Sequence, residues 1–435
     1  MAIPKRISTT LINSLSSGVV PRTGLEHITV GRKAEIEALV SDLDNISEGA
    51  GGFRLITGRY GSGKSFLLQT IRNYALDRGF ITADADLTPE RRLTGSKGQG
   101  LATYRELMIN FAAKTRPDGG ALELILQKWI AGLRKDVKDR NPDADEYTLD
   151  SLVSESIKKT SSEMVELVHG FDFSRVMVAY WEAFRNNDAE TRHAALRWLR
   201  GEFNTKTEAK RYLPTDSVIN DDTWYDFIKL WASFVSKIGY KGLVVFIDEC
   251  VNLYKIPNSQ SRNANYEKIL SIFNDTMQGK ADHLYFLMGG TPQFVEDERR
   301  GLFSYDALRS RLLPGKYSGE GLRNLAAPVI KLTQLTDEEM FLLLKKLTLI
   351  HAGHYGYEPS VSDEDMIAFL ESALGRVGAR TLLTPREIIR DYLDALDLLR
   401  QNPGVKFKDV IGTTMEKEPL SSKDDVDDFL KGFEI

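Results

Sequence analysis

At 435 residues the chain has room for two or three domains with ordinary cores. A net charge of −5 excludes a polycation built for non-specific nucleic-acid binding, so any such contact must come from a local patch. One cysteine, Cys250, excludes a disulfide framework and a cysteine cluster for zinc.

Residues 1–35 read as an irregular, slightly basic arm ending in "VGRKAEIEAL", where a helix begins. The opening "MAIPKRISTTLINSLSSGVVPRTG" has no apolar core long enough for a secretion signal, and no run approaches the roughly 18 apolar residues of a membrane span. A cytoplasmic protein with no membrane partner is expected. "GFRLITG" (Gly52–Gly58) is a short apolar strand entering a glycine loop, and "KSFLLQTIRNYALDRG" is an amphipathic helix closed by Gly79. Four further strands are expected at "FITADADL" (Phe80–Leu87), "GLVVFIDE" (Gly242–Glu249), "HLYFLMGGT" (His283–Thr291) and "APVIKL" (Ala327–Leu332). Helical patterns separate them, which predicts an α/β domain over 36–332 with a parallel five-stranded sheet covered on both faces. Between the second and third strands, about 118–220 exceeds what a plain crossover needs and reads as a helical insertion.

After Leu332 the strands stop. Three helix starts carry capping-box patterns: Thr336 with Glu339, Ser362 with Asp365, and Thr384 with Glu387. Pro385 at the first helical position strengthens the last one. Residues 333–405 are therefore expected to form a small all-helical domain. The tail 406–435 turns acidic; "DDVDDFLKGFEI", with Phe429, Leu430 and Phe433, reads either as a docking peptide for a basic apolar groove or as a disordered end.

The chemistry starts at "GRYGSGKS". Gly58, Gly63, Lys64 and Ser65 fit G-x-x-x-x-G-K-[ST], with a strand before and a helix after. Glycines let several N–H groups turn into one cavity, and the helix aims its positive end there. Lys64 is placed to reach the β- and γ-phosphates and Ser65 to bind Mg²⁺. The whole expected cradle is Gly58, Tyr60, Gly61, Ser62, Gly63, Lys64, Ser65 and Phe66. "VVFIDE" supplies an acid pair at a strand end. Asp248 is expected to hold Mg²⁺ with Ser65, and Glu249 to polarise an attacking water; the plainer alternative is that both merely cap the strand. The pair favours hydrolysis over phosphate transfer to a metabolite, and no N-K-x-D guanine signature is present. Thr291 either orients the water or simply starts the loop before Pro292. In "SYDALRSRLL", Arg309 and Arg311 are either surface ion pairs or an arginine finger acting on a neighbouring subunit. Arg386 is either a solvated helix-start residue or a group that reaches the nucleotide. The stretch 191–213 has six Lys/Arg against two Glu, with Trp198 and Tyr212 interleaved. It is a candidate contact for a DNA backbone, or a solvated helix face over a core contact.

The order of phosphate loop, "IDE", "GGT", "ALRSRL" and a helical lid resembles an AAA+ ATPase of the Orc/Cdc6-like branch. More closely, "SGVVPRTGLEHITVGR", "IDECVNLYKIPNS", "NYEKILSIFNDTMQGKA", "GGTPQFVEDERRGLFSYDALRSRL" and "TPREIIRDYLDAL" resemble the ATP-binding proteins of bacterial phage-defence operons. These include the bacteriophage-exclusion (BREX) ATP-binding subunit and the ATPase of the Shango system. The resemblance implies a Mg²⁺-dependent ATPase that oligomerises and acts on DNA or beside a helicase-like partner. It implies Lys64 and Ser65 as phosphate and Mg²⁺ ligands and Asp248 with Glu249 as the hydrolytic pair. Thr291 carries over as first sensor, Arg311 or Arg309 as finger, Arg386 as second sensor, and Val30 with Gly31 as the adenine-packing segment. Relatives of the Orc/Cdc6 kind add a winged helix after the lid; about 30 residues remain here, so direct sequence-specific DNA reading is not expected. The competing expectation is a nucleotide-gated switch of STAND type with slow hydrolysis.

Overall fold

The computed structural model describes residues 3–315, 323–374 and 384–415. They fall into two compact units: the described residues of Met1–Arg32, Tyr60–Ser62 and Gln334–Ile435, and those of Lys33–Arg59 and Gly63–Thr333.

The second unit is built on five parallel strands, β1 (Gly52–Thr57), β2 (Ile81–Asp86), β3 (Leu243–Asp248), β4 (Leu284–Gly290) and β5 (Val329–Lys331), in the order β2-β3-β4-β1-β5. All five expected strands form. The apolar runs of β3 and β4 follow from their central positions, since a parallel strand covered on both faces cannot alternate polar and apolar residues. Leu243, Val245 and Ile247 of β3, with Leu284, Phe286 and Met288 of β4, face one core. Val244, Phe246, Tyr285 and Leu287 face the other, against the helices Lys33–Ser47 and Lys64–Asp77. On that face Tyr285 donates to Asp42 at 2.6 Å and Arg54 donates to both Asp42 oxygens at 2.7 and 2.8 Å. This buried pairing ties the helix Lys33–Ser47 to β1 and β4.

The expected insertion is helical: Leu122–Arg140, Glu146–Ser162, Gly170–Arg185, Ala189–Leu199 and the short Lys206–Lys210. The helix Trp224–Lys237 then leads back to β3. These helices do not form a core of their own. Trp231 sits at 0% exposure, with ring centroids 5.4 Å from Phe111, 5.1 Å from Phe173 and 5.7 Å from Phe234. Its indole N–H donates to the Tyr104 hydroxyl at 3.1 Å. The insertion and one face of the sheet share this continuous apolar cluster.

The helical unit contains Asp337–Tyr355, Asp363–Leu374, Pro385–Gln401 and Phe407–Met415. The capping boxes form as expected. Thr336 accepts from Glu339 N–H at 3.2 Å while Glu339 accepts from Thr336 N–H at 3.0 Å, and Thr384 and Glu387 repeat the exchange. Ser362 and Asp365 do the same. Two expectations need correction. The arm 1–35 is not irregular: Lys5–Ser16 is a helix that packs Leu11, Ile12 and Leu15 against the helices Asp337–Tyr355 and Pro385–Gln401. A Ser/Thr-rich sequence with no side-chain cap gives little local signal, and tertiary burial supplies the rest. The helical part also runs past 405, because buried Phe407 lies 6.1 Å from Tyr392 and 6.2 Å from Phe369. The acidic end with Phe429, Leu430 and Phe433 lies outside the described residues.

Because one cluster joins insertion and sheet, Trp231→Ala is expected to destabilise both together, by about 3–5 kcal/mol. Denaturant unfolding followed by hydrogen exchange checks this; protected β3 and β4 amides beside an unfolded insertion would show that the two are separate.

Candidate functional site

β1 ends at Thr57, and the chain turns through Gly58–Gly63 before the helix Lys64–Asp77. Gly61 and Gly63 have φ of +79° and +86°. The space around Gly63 is open, so the backbone angle rather than crowding requires glycine there. Lys64 Nζ reaches back to donate to the carbonyls of Gly58 at 3.0 Å and Arg59 at 3.1 Å. No carboxylate lies within ion-pair distance of it among the described residues. Burial lowers its pKa, against the opposing pull of Asp248 and Glu249. Ser62 is buried, and its hydroxyl has no hydrogen-bond partner among the described residues. A desolvated ammonium with no carboxylate partner at a helix N-terminus fits an anion.

The acid pair ends β3. β4 lies between β1 and β3, so the loop and the acids stand at the same edge of the sheet. Ser65 Oγ donates to Asp248 Oδ2 at 2.6 Å, and Asp248 Oδ1 accepts from Glu249 N–H at 2.8 Å. Gly289 makes room for this carboxylate, since a Cβ there would collide with Asp248 Oδ1. Glu249 has φ of +56°, a strained angle for a side-chain-bearing residue, and is exposed. Backbone bonds hold the strand ends in register: Leu87 N–H to Asp248 at 3.0 Å, Cys250 N–H to Gly289 at 2.9 Å, Gly58 N–H to Gly290 at 3.4 Å. Thr291 follows β4 directly, and its hydroxyl accepts from Phe294 N–H at 3.3 Å as the cap of the helix Pro292–Glu296.

The arginines divide. Arg309 pairs with Glu298 at 2.7 Å, and Arg311 donates to Asn274 at 3.0 Å and to the Ala307 carbonyl at 2.7 Å. Neither contacts the loop or the acid pair among the described residues. Arg386 belongs to the helical unit, where it meets Tyr60 at the loop tip. Val30 is half-buried in the same unit. Gly31 has φ of +64° and lies against Glu339, whose carboxylate a Cβ would strike. In the basic stretch 191–213, Trp198 is buried and donates to the Ser217 carbonyl at 2.8 Å, so it cannot stack on a base. Arg197 pairs with Glu208 at 3.0 Å and Glu202 at 3.9 Å, and Lys210 pairs with Asp216.

Three residues were not picked out from the sequence. Gly289 and Arg32 are two of them; Arg32 is buried and donates to the Ser62 carbonyl at 3.1 Å. The third is Asp86, which pairs in register with Asp248 across β2 and β3. Its position at the end of "ADADL" is the signal that could have found it. Asp86 is exposed. Desolvation by the surrounding strand ends, then the charges of Asp248, Glu249 and Asp84, still push it up to about 6, against Arg91.

A carboxyl raised in the folded state loses stability as pH climbs from its unfolded value toward about 6, and keeps that cost above it. Asp86→Asn is therefore expected to raise the melting temperature near neutral pH. The gain should fade below about pH 4. Melting curves across that range check the sign, and a gain equally large at both ends would contradict it.

The comparisons with known proteins follow the geometry. No curated protein matches the chain. Residues 3–415 match the family model described as BREX system ATP-binding protein BrxC/D. That span takes in the glycine loop, the acid pair and the capped helices, and the chain belongs to this family of BREX system ATP-binding proteins.

Proposed function

We propose that the protein hydrolyses ATP with Mg²⁺ and converts turnover into oligomer assembly and action on DNA or on a helicase-like partner in phage defence. The observation that carries this reading is the Ser65–Asp248 bond beside the unpaired ammonium of Lys64. Family membership supports ATP binding.

The chain's residues divide the work by chemistry. Gly58–Ser65 offer backbone N–H groups and the helix N-terminus to phosphate oxygens. Lys64, held at present by two carbonyls, exchanges them for the β- and γ-phosphates. Ser65 and Asp248, already joined, are the pair that would hold Mg²⁺, which when bound neutralises developing phosphate charge. Glu249 stands next to Asp248 with an exposed carboxylate suited to orienting water. Thr291 adds a hydroxyl at the end of the intervening strand. Arg311 or Arg309 would serve a neighbouring copy, Arg386 would sense the terminal phosphate, and Val30 with Gly31 would pack the adenine. The cations of 191–213 that have no ion pair among the described residues, Arg192, Arg200, Lys206 and Arg211, are the candidates for backbone contact with DNA. A cytoplasmic setting suits these partners. The internal engagement of both Arg309 and Arg311 favours a second reading, a switch that binds ATP and turns it over slowly.

Two outcomes separate these readings. Glu249→Gln is expected to bind ATP normally and to lose about 10²–10⁴ in turnover. Undiminished steady-state hydrolysis in that variant would remove Glu249 from the mechanism. For a finger acting between copies, mixing Arg311→Ala chains with Lys64→Ala chains is expected to restore part of the lost activity. The same mixture with Arg309→Ala tells which arginine serves. No rescue at any ratio, for either arginine, favours the slow switch.

A further inference from the structure

Two arginines of the sheet-bearing unit meet at one backbone carbonyl. Arg262 is 7% exposed, and its Nη1 donates to the Ile256 carbonyl at 2.9 Å. Arg300 is half-buried, and its Nη2 donates to the same carbonyl at 3.4 Å and to that of Tyr254 at 3.3 Å. The Arg300 guanidinium carbon lies 5.4 Å from the Tyr254 ring centroid. The Tyr266 hydroxyl donates to the Arg300 carbonyl at 2.6 Å, which fixes the turn that bears this arginine. All of these residues belong to the one compact unit of Lys33–Arg59 and Gly63–Thr333.

Neither charge is cancelled, since among the described residues no carboxylate forms an ion pair with Arg262 or Arg300. The acids just before Arg300 are committed elsewhere, Glu296 to Lys331 at 2.6 Å and Glu298 to Arg309 at 2.7 Å. Asp297 accepts from the Tyr254 hydroxyl at 2.8 Å and from the N–H groups of Arg299 and Arg300 at 2.7 and 2.9 Å. Both Nε atoms are buried with no hydrogen-bond partner among the described residues. The outer nitrogens, Arg262 Nη2 and Arg300 Nη1, have none either, but solvent reaches them. Arg262 stands in the first turn of the helix Ser259–Met277 and reaches back past its cap, Asn258, so the positive end of that helix adds to the same field. Burial raises the pKa of the Tyr266 hydroxyl, and the charges of Arg262 and Arg300 both oppose the rise. Two unpaired like charges at one carbonyl repel, and burial denies them the screening of water.

We propose that Arg262 and Arg300 form an oxyanion site whose ligand is a dianionic phosphate, either inorganic phosphate or the terminal phosphate of a monoester. The charge count selects this class. A carboxylate brings one negative charge to a site with two positive ones. A phosphodiester also brings one, flanked by two ester chains that a largely buried guanidinium does not admit. A terminal phosphate carries close to two charges at neutral pH and three acceptor oxygens, enough to bridge two planar guanidinium forks. The shared Ile256 carbonyl brings the forks close enough for one ligand to meet both. The site does not rest on the nucleotide reading, since none of its residues belongs to the glycine loop or the acid pair.

The test is a calorimetric titration of inorganic phosphate into the full chain carrying Lys64→Ala, which removes the ammonium of the glycine loop as a competing anion site. Saturable binding is expected. Adding Arg300→Gln is expected to weaken it about 10- to 100-fold, and Arg300→Lys, which keeps the charge, by less. No saturable binding in the Lys64→Ala chain, or equal affinity with and without Arg300→Gln, would overturn the site. Circular dichroism of the Arg300 variants is expected to match the parent. A loss of binding confined to variants that also lose the fold would assign both arginines to holding the turn at Tyr254 and Ile256, and would overturn the site as well. Competition with a short DNA strand then identifies the source. Displacement by a 5′-phosphorylated strand but not by its 5′-hydroxyl counterpart supports the site with a nucleic-acid end as ligand. Displacement by neither supports it with free phosphate. Equal displacement by both, lost in Arg300→Gln, would overturn the terminal-phosphate assignment in favour of a backbone contact.

Discussion

The hydrogen bond from Ser65 to Asp248 is the constraint on which the site depends. It joins two groups that are far apart in the chain, one in the first turn of the helix that follows β1 and one at the end of β3, with β4 lying between β1 and β3. A side-chain bond of 2.6 Å across an intervening strand demands that all three strand ends stay in register. It also demands that the middle strand carry no side chain where the carboxylate must pass. Gly289 meets the second demand and the backbone bonds at Leu87, Cys250 and Gly58 meet the first. Long apolar runs in β3 and β4 then have a functional meaning beyond burial. They fix the depth of the strands in the core, and with it the height of the acid pair beside the loop.

Concentrating carboxylates at one edge carries a cost that the protein leaves in place. The pKa of Asp86 is raised first by desolvation and then by the charges of Asp248, Glu249 and Asp84. Lys64 opposes this negative field, but burial works against its charge at the same time. Glu249 adds backbone strain to the same edge. Such local conflicts with stability mark this edge of the sheet as a candidate functional site.

Much of this was legible in the sequence because the signals were local. The strands announced themselves as apolar runs, the loop as a glycine pattern between strand and helix, and the capped helices as hydroxyl–acid pairs three residues apart. Each of these depends on residues a few positions from one another. What escaped reading depends on partners distant in the chain. The helix Lys5–Ser16 has no cap and is made stable by helices more than three hundred residues later. The sequence of 191–213 allows either a DNA contact or a solvated helix face over a core contact, and the distant partner Phe227, 5.3 Å away between centroids, is what places the Trp198 ring in the core. Asp86 needed the pairing of β2 with β3, and Gly289 needed the carboxylate of another strand.

The helix Lys5–Ser16 also bears on how the chain is made. Its buried residues Leu11, Ile12 and Leu15 find their partners on helices that begin only at Asp337 and Pro385. Synthesis at about 5–20 residues per second leaves the wait on the order of tens of seconds. Through that interval the sheet and its insertion can close, since their contacts lie within Lys33–Thr333. The first helix cannot. Its apolar stripe stays open to solvent or to chaperones until the helices Asp337–Tyr355 and Pro385–Gln401 have been made.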